Sequence, residues 1–192
     1  MVRWEPGAKD RLQAAAISLF LERGYEETTV QDIAAAAGLT ERTFFRHYAD
    51  KREVLFSGGE LYRAGFVDGV RDAPAGASPF ELVRAALVSG SRFFDDERRP
   101  WSRRRQVVID ANPALQERES LKRVALAGSL TAALVARGVG EVDARLTAEI
   151  GVGVFFVAFR LWIGPDEQRS LDDLQQEALA RIAALVPAGA PA

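Results

Sequence analysis

The chain has 192 residues, 48% of them apolar, and a formal net charge of −2, enough for one ordinary domain or for a small and a medium one. It contains no cysteine and one histidine, His47, which excludes disulfides, thiolate metal sites and a histidine-based metal cluster. The opening MVRWEPGAKD has no long apolar core, and no uninterrupted apolar run is long enough to span a bilayer, so a cytoplasmic protein with no membrane partner is expected.

Pro6 and Gly7 mark the entry to a first helix over 8–23, after a loose leader over 1–5 that carries Arg3. Leu12, Ala16, Leu19 and Phe20 fall at i, i+4, i+7 and i+8, a core stripe, and Gly24 ends the helix. Residues 28–51, TTVQDIAAAAGLTERTFFRHYADK, then read as two short helices joined by a tight turn. Thr28 or Thr29 caps the first, each with a partner three residues on, Gln31 or Asp32. Ile33, Ala34 and Ala37 put small apolar groups on one face. Gly38 supplies the residue that takes φ > 0 and ends a helix sharply. Thr40 caps the second helix, and Phe44 and Tyr48, spaced i, i+4, share a buried face. Glu41, Arg42, Thr43, Phe45, Arg46 and His47 fall on the other sides. That pattern is a helix-turn-helix, or more plainly a helical hairpin in an all-α core.

Lys51 opens a long helix to about 72, loosened midway by Gly58-Gly59 and followed by the loop APAGASP. Further helices are expected over 79–96, 99–110, 114–137, 141–163 and 166–186, with breaks at Asn112-Pro113, Gly138, Gly164-Pro165 and Pro187. No strand-like alternation appears. The expectation is an all-α protein of about nine helices, with a first domain over 1–52 (motif about 30–49) and a helical body over 53–192.

Charge alone does not announce nucleic acid, since bases and acids balance across residues 1–52. Placement does: Arg42, Arg46, His47, Lys51 and Arg52 gather on and just after the second helix of the motif. The run RRPWSRRR over 98–105 reads as a solvated loop and helix start, its arginines pairing with Asp95, Asp96 and Glu97 and lying far along the chain from the motif.

Residues 11–55 strongly resemble the DNA-binding domain of the TetR family of bacterial transcriptional repressors. The matching features are Ala15-Ala16, Leu19-Phe20, Gly24-Tyr25, Thr28-Thr29, Ile33-Ala34, Ala37-Gly38-Leu39, Thr43-Phe44-Phe45, Tyr48 and Lys51. The resemblance implies a ligand-responsive repressor that binds double-stranded operator DNA as a homodimer. It places Thr29 and Thr40 on phosphates, Arg42 and Thr43 at base edges, Arg46 and His47 against the backbone and Lys51 on a phosphate, with Glu41 in the same contact set. Many family members have Gly where Arg42 stands, which marks Arg42 as a specificity residue. Phe45 departs from the frequent Tyr and has no hydroxyl for a phosphate.

The resemblance further implies that the body holds a small-molecule chamber and a four-helix dimer interface. Phe66, Phe93, Phe94, Trp101, Phe155, Phe159 and Trp162 are the candidate pocket lining, and they point to an apolar or aromatic effector. Ile150, Val154, Val157, Leu161, Leu174, Ala178 and Ile182 are the candidate interface, although either set also suits ordinary core. Enzymatic chemistry is not expected: with no metal ligand cluster and no cofactor motif, His47 is the sole base of its kind and it lies on the reading helix. The alternative function is an all-α small-molecule-binding or scaffold protein whose reading head binds nothing.

Overall fold

A computed structural model describes residues 7–185, so the leader with Arg3 and Pro6, and the tail with Pro187, lie outside the described residues. The described residues form ten helices and no strand: α1 (Ala8–Arg23), α2 (Val30–Ala36), α3 (Glu41–His47), α4 (Glu53–Phe56), α5 (Gly59–Asp72), α6 (Pro79–Ser91), α7 (Arg99–Asp110), α8 (Pro113–Ala136), α9 (Glu141–Trp162) and α10 (Leu171–Leu185).

The tenth helix comes from a break in the expected long helix that Lys51 was to open. Gly58 adopts φ +93, a conformation that interrupts an α-helix, and separates α4 from α5. Two other boundaries also moved inward. α6 ends at Ser91 because Asp95, Asp96 and Glu97 would stack negative charge on the helix's negative end. α10 starts at Leu171 because Ser170 and Asp173 form a capping box, with the Asp173 N–H donating to Ser170 Oγ at 3.1 Å.

The chain divides into two compact units. The first takes everything up to Gly58 together with Trp101–Glu119, and the second takes Gly59–Pro100 together with everything from Ser120. The first unit therefore reaches past the expected boundary at 52 and draws in a segment far along the chain. Val108, Ile109 and Leu115 join Leu12, Ile33 and Phe44 in one apolar core. Polar clasps reinforce it. Arg105 Nε donates to the Leu55 carbonyl at 2.7 Å and its guanidinium pairs with Glu119 at 3.1 Å, while Arg118 pairs with Glu53 at 2.5 Å.

The second unit is built on close helix crossings. A Cβ at Gly69 of α5 would stand 2.5 Å from the Ala85 carbonyl oxygen of α6, and one at Gly90 would stand 2.2 Å from the Phe66 ring. Only glycine permits either approach. Arg137 then covers the open end of α5, donating to the carbonyls of Val70, Arg71 and Pro74.

Candidate functional site

The helix-turn-helix lies in the first unit, and its inner face is fixed first. Thr29 caps α2 through a capping box: its Oγ1 accepts from the Asp32 N–H at 3.1 Å, and its own N–H donates to Asp32 Oδ2 at 2.9 Å. Thr28, the other candidate cap, instead donates its hydroxyl to the Gly24 carbonyl at 2.8 Å. Gly38 takes φ +65 in the turn. Thr40 then caps α3, accepting from the Thr43 N–H at 3.2 Å. Phe44 is fully buried, with its ring 5.4 Å from that of Tyr48. Burial holds the Tyr48 phenol up near about 12, so it stays a neutral donor, bonded to the Lys9 carbonyl at 3.4 Å.

With that face anchored, the rest of α3 is turned out. Glu41, Arg42, Phe45, Arg46 and His47 are exposed, Phe45 at 55%. Among the described residues, Arg42 and Arg46 have neither an ion pair nor a side-chain hydrogen bond. Adjacent Arg52 differs, being clasped by Asp50 at 2.7 Å.

Two residues of the expected contact set are already engaged. Lys51 Nζ donates to the carbonyls of Tyr25, Glu26 and Thr28 at 2.8, 3.1 and 3.1 Å and sits 4.4 Å from the Tyr25 ring centroid. All three of its N–H donors close the turn between α1 and α2, so in the free protein it acts as an internal clasp. Thr29 donates both its N–H and its hydroxyl to the Asp32 carboxylate. The hydrogen bonds from Thr29 hold Asp32 below the usual carboxylate range.

The basic run divides. Arg98 and Arg99 pair with Asp95 and Asp96 at 3.9 and 2.7 Å, the local pairing expected of them. Arg104, in the first unit despite its distance along the chain, donates to Ser18 Oγ on α1 at 3.0 Å.

In the second unit the aromatic residues form one stacked cluster. Phe94 lies 5.4–6.0 Å from the rings of Phe155, Phe159 and Trp162, and Phe66 lies 5.1 Å from Phe155. Tyr62, absent from the expected lining, touches Phe66, Phe93, Phe94 and Phe155. Trp101 is not a member, because it belongs to the first unit. A surface groove of about 440 Å³ follows α5 and α6 past Asp72, Arg84 and Arg92, and another of about 300 Å³ lies between α8 and α9 beside Val124 and Gly153.

The expected dimer residues separate by burial. Val154 and Leu174 lie in the second unit's own core and are removed from the interface set. Ile150, Val157 and Leu161 are exposed on α9, Val157 at 58% and Leu161 at 51%, and Val142 and Leu146 extend the same stripe. Gly153 lies within that stripe with nothing near its would-be Cβ. Ala178 and Ile182 of α10 are half-buried.

Residues 12–57 match the family described as bacterial regulatory proteins, tetR family, and residues 77–187 match the MftR C-terminal domain. The transcriptional regulator MftR of Mycobacterium tuberculosis is 31% identical over 82% of this chain and 80% of its own. The chain belongs to the TetR family of bacterial transcriptional regulators. TcmR of Streptomyces glaucescens, a helix-turn-helix transcriptional regulator, is 40% identical over 79 residues, which span 41% of this chain and only 35% of TcmR. The TetR-family regulator PfmR of Thermus thermophilus superposes with TM-score 0.51 at 29% identity, covering 90% of this chain and 97% of PfmR. The chain is thus an all-helical DNA-binding regulator. The first match spans α1 to α4 and the second α6 to α10, so α5 falls outside both. Among the described residues no helix is long and apolar enough to cross a membrane, and no group of His, Asp or Glu is arranged to hold a metal ion.

Two polar residues escaped the sequence reading. Tyr62 was visible as an apolar position on its helix, but apart from Phe66 its ring neighbours come from two other segments, the turn after α6 and α9. Gln175, wholly buried on α10, gave no signal except its place one turn after Leu171 and one turn before Leu179 in an apolar stripe.

Proposed function

We propose that the chain is a homodimeric repressor that lays α3 of each subunit in successive major grooves of a two-fold operator and leaves the DNA when an apolar or aromatic effector binds. The outer face of α3 carries this reading. Arg42 and Arg46 stand exposed and unpaired above a fully buried Phe44. Their charge is uncompensated by the protein and therefore available to phosphate or to a guanine edge, where an arginine binds bidentately. Thr43 meets a thymine methyl, Glu41 accepts from a cytosine amino group, and Phe45 lies against sugar or a methyl. Thr40, Arg46 and His47 hold the backbone.

The aliphatic stripe on α9, with half-buried Ala178 and Ile182 on α10, supports a subunit interface. A contiguous apolar patch of that kind on a monomer marks an interaction site, and a two-fold operator needs a two-fold protein. The aromatic cluster supports an effector of apolar or aromatic character. Effector release follows if the effector prefers the conformation that binds DNA poorly.

Selection of genomic fragments by the purified protein tests the proposal. A palindrome is expected, with half-site centres about 34–36 Å apart and nanomolar affinity that falls steeply with salt. Weak binding without sequence preference, at every salt concentration, contradicts it and leaves only the helical body as the functional part.

A further inference from the structure

The second unit buries polar atoms that nothing among the described residues satisfies. Gln175 of α10 is 0% exposed, and both its Nε2 and its Oε1 lack a hydrogen-bond partner. Trp162, the last residue of α9, is also 0% exposed, and its Nε1 lacks one too. Arg99, 9% exposed with its guanidinium 5.1 Å from the Trp162 ring, leaves Nε unpaired although its other nitrogens donate to Asp96 and to the Glu167 and Arg169 carbonyls.

Gln175 shares a helix face with Leu171, Ala178, Leu179 and Ile182, which all join or pack on the second unit's core. Its amide therefore faces the core formed with α9 and α6. A buried amide with neither group paired is costly, and protein interiors rarely retain one. An apolar residue of similar size would serve packing better.

The aromatic cluster beside Trp162 is closed by residues of a turn. Phe93 and Phe94 are half-buried, and they follow the end of α6 with only turn hydrogen bonds, Phe93 N–H to Gly90 at 3.3 Å and Phe94 N–H to Ser91 at 2.8 Å. Phe94 nonetheless sits against rings from α5 and α9. A ring carried on a turn is displaced at less cost than one carried on a helix.

We propose that the Gln175 amide and the Trp162 indole N–H are the polar anchors of an effector site in this aromatic core, and that the effector is an uncharged, mainly apolar or aromatic molecule bearing a carbonyl acceptor with an adjacent N–H or O–H donor. The inference rests on reading the second unit as the effector-binding part. The donor and acceptor count sets the class: Nε1, Nε2 and Arg99 Nε ask for acceptors, and Gln175 Oε1 asks for one donor. The charge state follows from Asp96, which already neutralises Arg99 at 2.7 Å and leaves no buried charge for an ionic ligand.

Three probes of similar size test the site on the full-length protein by titration calorimetry: benzanilide (two rings and one amide), trans-stilbene (the same outline without hydrogen-bonding groups) and biphenyl-4-carboxylate. Benzanilide is expected to bind at least tenfold more tightly than either of the others. Gln175→Met should lose most of that advantage, bringing benzanilide close to stilbene, and should raise the ligand-free Tm because it removes an unpaired amide. Equal affinity for benzanilide and stilbene overturns the polar anchors while sparing an apolar effector site. Tightest binding of the carboxylate overturns the uncharged class, and failure of all three overturns the site. A Gln175→Met variant that melts lower and keeps the benzanilide preference shows that the amide is satisfied internally, and overturns the assignment. Operator affinity of the ligand-free wild type, measured alongside, reports separately on the regulator reading.

Discussion

Helices α3 and α9 are built alike and left unfinished in different ways. Each buries one face in its own unit, α3 through Phe44 and α9 through Phe155, Ala158 and Trp162. Each leaves its other face exposed. On α3 that face is Arg42, Phe45, Arg46 and His47; on α9 it is Val142, Leu146, Ile150, Val157 and Leu161. An unpaired guanidinium gains most from a polyanion, and an aliphatic stripe gains most from another apolar surface. Under the proposed function, the same amphipathic construction would serve DNA at one place and a second copy of the chain at the other.

The contrast can be broken from either side. Phe44→Ala removes the buried ring on which the α3 face is mounted and should cost about 3–5 kcal/mol of stability, seen in chemical denaturation and accompanied by loss of operator binding. Val157→Glu with Leu161→Glu should turn a dimer into a monomer in sedimentation and weaken operator binding about 100-fold or more, since one reading head forfeits the linked second contact. The folded fraction should stay unchanged, because both side chains are exposed. Lys51→Met should cost about 2–3 kcal/mol of stability, because three carbonyls lose a charged donor, while the salt slope of DNA binding keeps its wild-type value. A slope reduced by about one would return Lys51 to the phosphates.

The smallest expected effect is on pH dependence. The hydrogen bonds from Thr29 hold Asp32 below its usual range. A depressed folded-state value means that the stabilisation is complete above the ordinary aspartate value of about 3.9 and is lost as pH falls through the lower folded value. Asp32→Asn should flatten that acid limb in thermal melts and leave neutral-pH binding to the operator unchanged. A neutral-pH gain in affinity would mean that the Asp32 charge repels a phosphate close by.

The parts of this architecture that were legible in the sequence are the parts written locally. Thr29 with Asp32, Gly38, Thr40 and the Phe44–Tyr48 spacing all act within a few residues of themselves, so the helix-turn-helix could be read directly. Lys51 could not: its partners lie 23–26 residues away, and a lysine at a helix start looks the same whether it faces phosphate or a carbonyl cluster. The basic run was judged by distance along the chain, and that is where Arg104 and Arg105 escaped, since long-range packing returns their segment to the first unit. In the second unit, period alone cannot tell a stripe facing the core from one facing a partner. Val154 and Val157 are three residues apart on α9, yet one is buried and the other exposed.

The most direct test of the central claim concerns Arg42. Affinity for the selected palindrome and for a scrambled duplex of equal length should be measured across a salt series, for wild type and for Arg42→Ala. The account predicts a loss of about 1–3 kcal/mol on the palindrome, confined to one base position in each half-site, and little change on the scrambled duplex. An equal loss on both duplexes would make Arg42 a phosphate contact only, and no loss on either would contradict the assignment of the α3 face to DNA.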